Sequence, residues 1–369
     1  MNKYRRALVA VTGMLAVLLA ATACNESNDG GSATGGSEST ENGFKIGILL
    51  PESKTTRYES FDKPYMEAKL KELCAKCEVL YQNADQDSSK QQSQAEAMLT
   101  QGVKVLILDA VDAKAAGSIV TNAKGQNVPV VAYDRLAEGP VDYYVSFDNN
   151  KVGQVQGQAL LDAVGQGGDP KRGQVVMING SPTDPNAADF KAGAKSVLEG
   201  KVNIGQEFDT PDWSPDKAQQ EMEQAITALG KDKIIGVYAA NDGTAGGAIA
   251  AMKGGGFTTI PFTTGQDAEL AAIQRILAGE QGMTVYKAIK PEAETAAEMA
   301  VAVATGKEYS GQATVAKNNG TKDVTSVLLT PVAVTKDNID DTVIKDGFYT
   351  AAQVCTAPYA QACAAAGIS

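Results

Sequence analysis

Short apolar runs and longer stretches of helical period alternate along most of the chain. Residues 45–50 (KIGILL) predict a buried strand, 60–73 a helix, 78–82 a strand and 88–101 a helix. A strand at 103–108, a helix over 113–124 and a strand at 129–133 continue the series. The theme restarts with a strand at 173–178 and helices over 189–198 and 214–229. A strand at 234–238, a helix over 244–253 and a strand at 260–264 follow. Strands separated by helices of this length predict βαβ units, and hence an α/β fold with parallel sheets.

Two of these units echo each other. The first runs from 106–112 through a helix to 129–131 and ends at Tyr133-Asp134-Arg135. The second runs from 237–242 through a helix to 261–263 and ends at Gly265-Gln266-Asp267. In both, polar groups sit just past the C-terminal end of an apolar strand, the edge at which open parallel sheets bind ligands. The stretch from Phe44 onward is roughly 325 residues, more than one core usually holds, so two lobes are expected. Two such edges facing one another define one cleft, although doubly wound enzymes also echo internally.

The N-terminal residues read as an address. Lys3, Arg5 and Arg6 precede an apolar stretch over 7–20 that is too short to span a bilayer comfortably, as in a signal peptide over 1–23. The small residues before Cys24 resemble a bacterial lipobox, which implies a lipidated Cys24; the plainer alternative is an ordinary secretory cut with Cys24 incidental. Residues 25–42, rich in Gly, Ser, Thr and Asn, predict a flexible tether.

Composition removes several classes of function. The chain is 43% hydrophobic and 21% charged, as an ordinary globular protein is, and its net charge of -11 argues against nucleic acid. It contains no histidine, which excludes Ser-His-Asp and Cys-His catalysis and imidazole zinc sites. No cofactor or metal site is read, while carboxylate-pair hydrolysis and flavin or nicotinamide chemistry survive this filter. Besides Cys24 there are Cys74, Cys77, Cys355 and Cys363. In an exported protein, two local disulfides are the plain reading of four cysteines. Three pairings are possible, and nearness in sequence favours 74 with 77 and 355 with 363. A redox Cys-x-x-Cys is the sharper reading, but this one follows a helix end rather than a strand.

The polar candidates at strand ends are Arg57, Asp134, Arg135, Asp184, Asn186, Asn241, Asp267 and Lys287, with Tyr58 and Trp213 as aromatic members. A sugar offers hydroxyls around its rim and C–H groups on its ring faces. Carboxylates and amides accept from hydroxyls, guanidinium groups donate to them, and planar rings cover the faces. This mixture suits a neutral polyol better than an anion. Each residue also has a structural explanation. Asp134-Arg135 reads equally as a surface ion pair, Trp213 as a loop residue packed on a hinge, and Asn241 as a helix N-cap.

The motifs that carry a family likeness are Ala132-Tyr133-Asp134-Arg135, Val145-Ser146-Phe147-Asp148-Asn149, Asn241-Asp242-Gly243-Thr244, Gly265-Gln266-Asp267-Ala268, Met283-Thr284-Val285-Tyr286-Lys287 and Leu328-Leu329-Thr330-Pro331. In this order they resemble the xylose-binding group of the type I periplasmic sugar-binding proteins of ABC importers, over nearly all of residues 44–350. The resemblance implies two Rossmann-like doubly wound parallel-sheet lobes joined by a three-segment hinge. It places 44–147 with 288–328 in an N-terminal lobe and 148–287 with 329–369 in a C-terminal lobe. It implies a monomer, tethered outside the cytoplasm, that closes on one monosaccharide, most simply D-xylose, and delivers it to an ABC permease. The eight polar residues match hydrogen-bonding positions and Trp213 a stacking one. Tyr58 stands where Trp is common, which leaves the exact sugar open. A chemotaxis or furanone-signal receptor on the same fold and an exported glycosidase are the rival readings.

Overall fold

The computed structural model describes residues 38–312 and 314–368; the expected signal peptide, Cys24 and the tether up to residue 37 lie outside the described residues. The first strands are β1 (Lys45–Leu50), β2 (Glu78–Asn83), β3 (Val103–Leu108), β4 (Val130–Tyr133) and β5 (Tyr143–Phe147). Next come β6 (Gln174–Asn179), β7 (Ile204–Asp209), β8 (Ile234–Ala239) and β9 (Phe262–Thr263). The last are β10 (Thr284–Tyr286), β11 (Val315–Asn318), β12 (Asp323–Leu329) and β13 (Val332–Val334). Two main sheets form, one ordered β11-β12-β5-β4-β3-β1-β2 and the other β7-β6-β8-β9, while β10 and β13 make a small antiparallel ribbon. In the larger sheet only β11 runs antiparallel, and the smaller sheet is parallel throughout.

The helices are α1 (Lys63–Leu73), α2 (Ser88–Thr100), α3 (Ala116–Gly125), α4 (Asn149–Gln166), α5 (Pro185–Leu198), α6 (Pro215–Leu229), α7 (Asp242–Gly254), α8 (Leu270–Leu277) and α9 (Ile289–Ala304). They cover both faces of each sheet, which is why β1, β3, β6 and β8 are apolar on both sides rather than alternating. On one face of the first sheet α9 brings Ala293, Ala296, Ala297 and Ala300, small residues at helical spacing that allow close approach to Ile107 and Val131. In the second lobe α4 and α5 pack beneath Val175 and Met177, and α6 and α7 over Val176 and Val237. The chain passes between the lobes after Phe147, after Tyr286 and after Leu329.

Local differences from the sequence reading have local causes. The helix expected from 60 opens at Tyr58 with a π-helical turn over Tyr58–Asp62. The helix expected from 113 starts at Ala116, because the Asp112 carboxylate accepts from the Ala115 N–H at 2.8 Å and closes a turn first. The helix expected from 189 starts at Pro185, a favoured first position, with Asp184 as N-cap. Residues 38–43, read as the end of the tether, form a turn in which the Asn42 and Gly43 N–H groups donate to the Ser39 carbonyl. Cys74 faces Cys77 and Cys355 faces Cys363, with Cα atoms 5.3 and 5.8 Å apart.

Close helix contact in the second lobe depends on two glycines. A Cβ on Gly153 of α4 would lie 1.9 Å from the Phe190 carbonyl oxygen, and one on Gly193 of α5 would lie 2.1 Å from that of Asn150. Backbone cannot yield as a side-chain tip can. Gly153→Ala is therefore expected to push α5 outward and cost about 1–3 kcal/mol, read as an earlier midpoint in urea unfolding; an unchanged midpoint would show that the helices have room to spare.

Candidate functional site

Strands of both sheets end at the same cleft, and several deliver a polar or aromatic side chain to it. Arg57 and Tyr58 follow β1, and Asp134 and Arg135 follow β4. Asp184 and Asn186 open α5 after β6, and Trp213 lies in a short 3-10 turn after β7. Asn241 follows β8, Asp267 follows β9, and Lys287 comes directly after β10. All ten residues singled out in the sequence line one small cavity. Thr55, Phe190 and Gln266 complete the lining, and no lining residue is more than 7% exposed. Sequence reasoning missed these three. Gln266 carried a usable signal, since it adjoins Asp267 at a strand end, whereas Phe190 lies inside a helix and looks like core.

Two aspartates occupy corresponding places in the two lobes. The Asp134 N–H donates to the Val145 carbonyl and the Asp267 N–H to that of Val285, both at 2.9 Å. Both residues have left-handed backbone, φ 52° and 89°, as does Trp213 at 53°. Such a conformation costs on the order of 1–3 kcal/mol for a residue other than glycine. Hydrogen bonds hold Asp134 in it: its carbonyl accepts from the Tyr144 hydroxyl at 2.8 Å and from Asn186 Nδ2 at 2.9 Å. The strained turn aims the carboxylate into the cleft instead of along the strand.

The cleft is a network of charge-assisted bonds. Asp134 Oδ2 accepts from the Tyr58 hydroxyl at 3.0 Å, and that hydroxyl accepts in turn from Arg135 Nη2 at 3.2 Å. Tyr58 is thus a polar bridge as well as a ring. Asp184 caps α5 through Oδ1 on the Asn186 N–H at 2.8 Å, and its Oδ2 takes Trp213 Nε1 at 3.0 Å. Arg135 Nε lies 2.9 Å from that same Oδ2. Asp184 therefore orients Trp213 and Arg135 with oxygens largely committed within the protein. Asn241 both caps and lines: its Oδ1 accepts from the Thr244 N–H at 2.9 Å, which leaves its Nδ2 available. The alternative reading of Asp134-Arg135 as a surface ion pair fails, since Asp134 is 3% and Arg135 2% exposed.

Burial alone would raise the Asp134 carboxyl, but Arg57, Lys287 and Arg135 overcome it and bring it down to about 2. Behind Arg135 the balance tips the other way: burial pushes the Asp109 and Glu52 carboxyls up despite the guanidinium beside them. Lys287 Nζ is 3.0 Å from Asp267 Oδ1 and lies over the rings of Phe147 and Phe190 at 5.6 and 5.9 Å. Among the described residues, Arg57 Nη1, Asp267 Oδ1 and Gln266 Oε1 are buried without a well-angled hydrogen bond. Unmet donors and acceptors around one small cavity suit a ligand that carries both.

Space for the indole is reserved by a glycine. A Cβ at Gly180 would come within 2.0 Å of the Trp213 ring, and Phe190 stands edge-on to that ring with centroids 6.3 Å apart. The lobes also touch without help from the lining residues. The Ala113 N–H donates to the Thr183 carbonyl and the Thr183 hydroxyl to the Val111 carbonyl, each at 3.2 Å, and Lys317 pairs with Asp189 at 2.7 Å. The cleft is therefore closed.

Known proteins resemble this chain. The profile of the periplasmic binding protein domain matches residues 46–308. The D-xylose-binding periplasmic protein of Escherichia coli (strain K12) is 42% identical over 311 residues, covering 83% of this chain and 91% of the relative. Its counterpart in Haemophilus influenzae is 39% identical over 313 residues, 83% of this chain and 91% of the relative. Among solved structures, an ABC transporter solute binding protein from Clostridium phytofermentans with bound β-D-glucose superposes with a TM-score of 0.79. It is 30% identical and covers 84% of this chain and 99% of that one. These relatives are binding proteins, not enzymes. Since the profile runs from β1 through both sheets to beyond α9, the chain belongs to the periplasmic binding protein domain family.

Proposed function

We propose that the protein captures one neutral monosaccharide, D-xylose or a closely related aldose, by closing its two lobes on it. The observation that carries this reading is the single cavity lined by hydrogen-bonding side chains from strand ends of both sheets. Arg57, Arg135 and Lys287 supply donors, Asp134 and Asp267 acceptors, and Asn186 and Asn241 amides. Tyr58 and Trp213 cover the ring faces, and Asp184 holds Trp213 and Arg135 in place. The relatives named for D-xylose and the one holding glucose support the ligand class. A ligand bonded to both lobes favours the closed form by its differential affinity. We put the lobe boundaries at 147/148, 287/288 and 328/329, each within one residue of a strand end at β5, β10 or β12.

In the wider assembly, the protein works as a monomer outside the cytoplasm and passes its sugar to an ABC permease. Cys24 carries the lipid that holds it at the membrane, and Cys74–Cys77 and Cys355–Cys363 are disulfides. Mass spectrometry of the protein from its native membrane tests this: a diacylated N-terminal Cys24 and no free thiols are expected, and an unmodified residue at that position would remove the anchor.

Charge selects against acids. The cavity lining already holds Asp134, Asp184 and Asp267 against Arg57, Arg135 and Lys287, and Glu52, Asp62, Asp109 and Glu292 are buried just behind. A ligand carboxylate would have to take a cation from an existing partner. Calorimetric titration of the domain from residue 38 should thus show binding of an aldose and none of xylonate or galacturonate. Asp134→Ala, which removes a charged hydrogen-bond acceptor, should weaken the aldose by roughly 10- to 100-fold. An unselective or silent titration would count against the reading.

The one tryptophan of the chain lies in this cavity. Its fluorescence should therefore change saturably as aldose is added, with the midpoint found by calorimetry. In Gly180→Ala the ring is displaced, and affinity should fall by about tenfold, or 1.4 kcal/mol. Fluorescence that stays constant while heat is released would place the sugar away from Trp213.

A further inference from the structure

Arg57 is held from behind by groups that do not line the cavity. Its Nε donates to Asp62 Oδ2 at 3.1 Å, and its Nη2 donates both to Asp62 Oδ1 at 2.6 Å and to Glu292 Oε2 at 2.8 Å. The Tyr133 hydroxyl donates to the same Asp62 Oδ1 and lies 3.4 Å from Glu292 Oε2. Asp62, Tyr133 and Glu292 are each 0% exposed. They come from three separate elements: the π-helical turn after Arg57, the end of β4, and the first turn of α9. Only Nη1 is left over, 3.5 Å from Asp134 Oδ1 and 4.0 Å from Asp267 Oδ1, with no hydrogen bond of its own.

We infer that Asp62, Tyr133 and Glu292 are positioning residues for sugar recognition, a buried clamp that fixes the Arg57 guanidinium so that Nη1 alone faces the ligand. This rests on the sugar-binding reading given above. A free arginine side chain has about 2 kcal/mol of rotamer entropy to lose on ordering. Binding two edges of the fork in advance removes that cost from the binding step. The clamp also fixes which atom is offered, so a hydroxyl meets one directed donor instead of a mobile cation. Two carboxylates on one guanidinium would leave a net negative charge in the interior. Burial accordingly pushes the Glu292 carboxyl up to about 8, although Arg57 opposes it. A neutral amide is therefore a fair replacement for Glu292.

The test is a calorimetric cycle in the full domain, with the aldose that binds the wild-type protein. Glu292→Ala is expected to weaken that aldose by about tenfold, and Glu292→Gln, which keeps an acceptor oxygen, to recover to within about threefold of wild type. In an Arg57→Met background the same Glu292→Ala change should alter affinity by less than about twofold, because nothing remains to position. Should Glu292→Ala not fold, Tyr133→Phe carries the same cycle with a smaller expected loss. Undiminished affinity of Glu292→Ala or Tyr133→Phe would overturn the clamp while leaving the sugar reading standing. Equal losses with and without Arg57 would also overturn it, because Glu292 would then act on the fold alone. A wild-type protein that binds no aldose at all overturns the sugar reading itself.

Discussion

Everything in the cleft depends on two buried guanidinium groups. Arg57 and Arg135, each 2% exposed, have left water entirely, and an unpaired charge in that position would be untenable. Each is surrounded by acids drawn from several elements, Asp62, Asp134 and Glu292 for Arg57 and Glu52, Asp109 and Asp184 for Arg135. The Arg57 set comes from different elements of one lobe and is complete only once that lobe has assembled, while Arg135 gains Asp184 only when the lobes have met. The electrostatics of the site and the folding of the lobes are one problem with one solution.

The two lobes solve it in parallel ways. In each, an aspartate with left-handed backbone follows a strand, β4 in one lobe and β9 in the other, and is anchored through its N–H to a carbonyl of a further strand, β5 or β10. In each, the helix after the first strand of the lobe brings side chains from its beginning, Arg57 and Tyr58 in one lobe and Asp184 and Asn186 in the other. Helix beginnings suit this work because their N–H groups need acceptors in any case, so Asp184 and Asn241 serve as caps and as cleft residues together.

Much of this was legible in the sequence. Apolar runs flanked on both sides by helices gave the strands of the parallel sheets, and a polar residue directly after such a run gave the cleft candidates. Other features had no such signature. β10, β11 and β13 are only three or four residues long, and β12 alternates exposed and buried positions at its start, so their pattern is weak. Phe190 reads as helix core because in part it is. Asp62, Tyr133 and Glu292 escaped notice because a buried ion network spans 235 residues of sequence between Arg57 and Glu292, and no local pattern encodes such a pairing. The reading of Asn241 as an N-cap was true without competing with its place in the cleft. A structural explanation and a functional one need not exclude each other where a side chain has two polar atoms.

The contacts of Thr183 with the 111–113 loop bear on how such a receptor is tuned. They join the lobes at the cleft rim and touch nothing that lines the cavity. A share of the closing energy is thereby built into the polypeptide, and apparent affinity scales with the fraction of empty molecules already shut. Natural variation at Thr183 or at Lys317 would accordingly shift retention of every ligand by one common factor. Such positions act as a volume control, separate from the residues that choose among sugars.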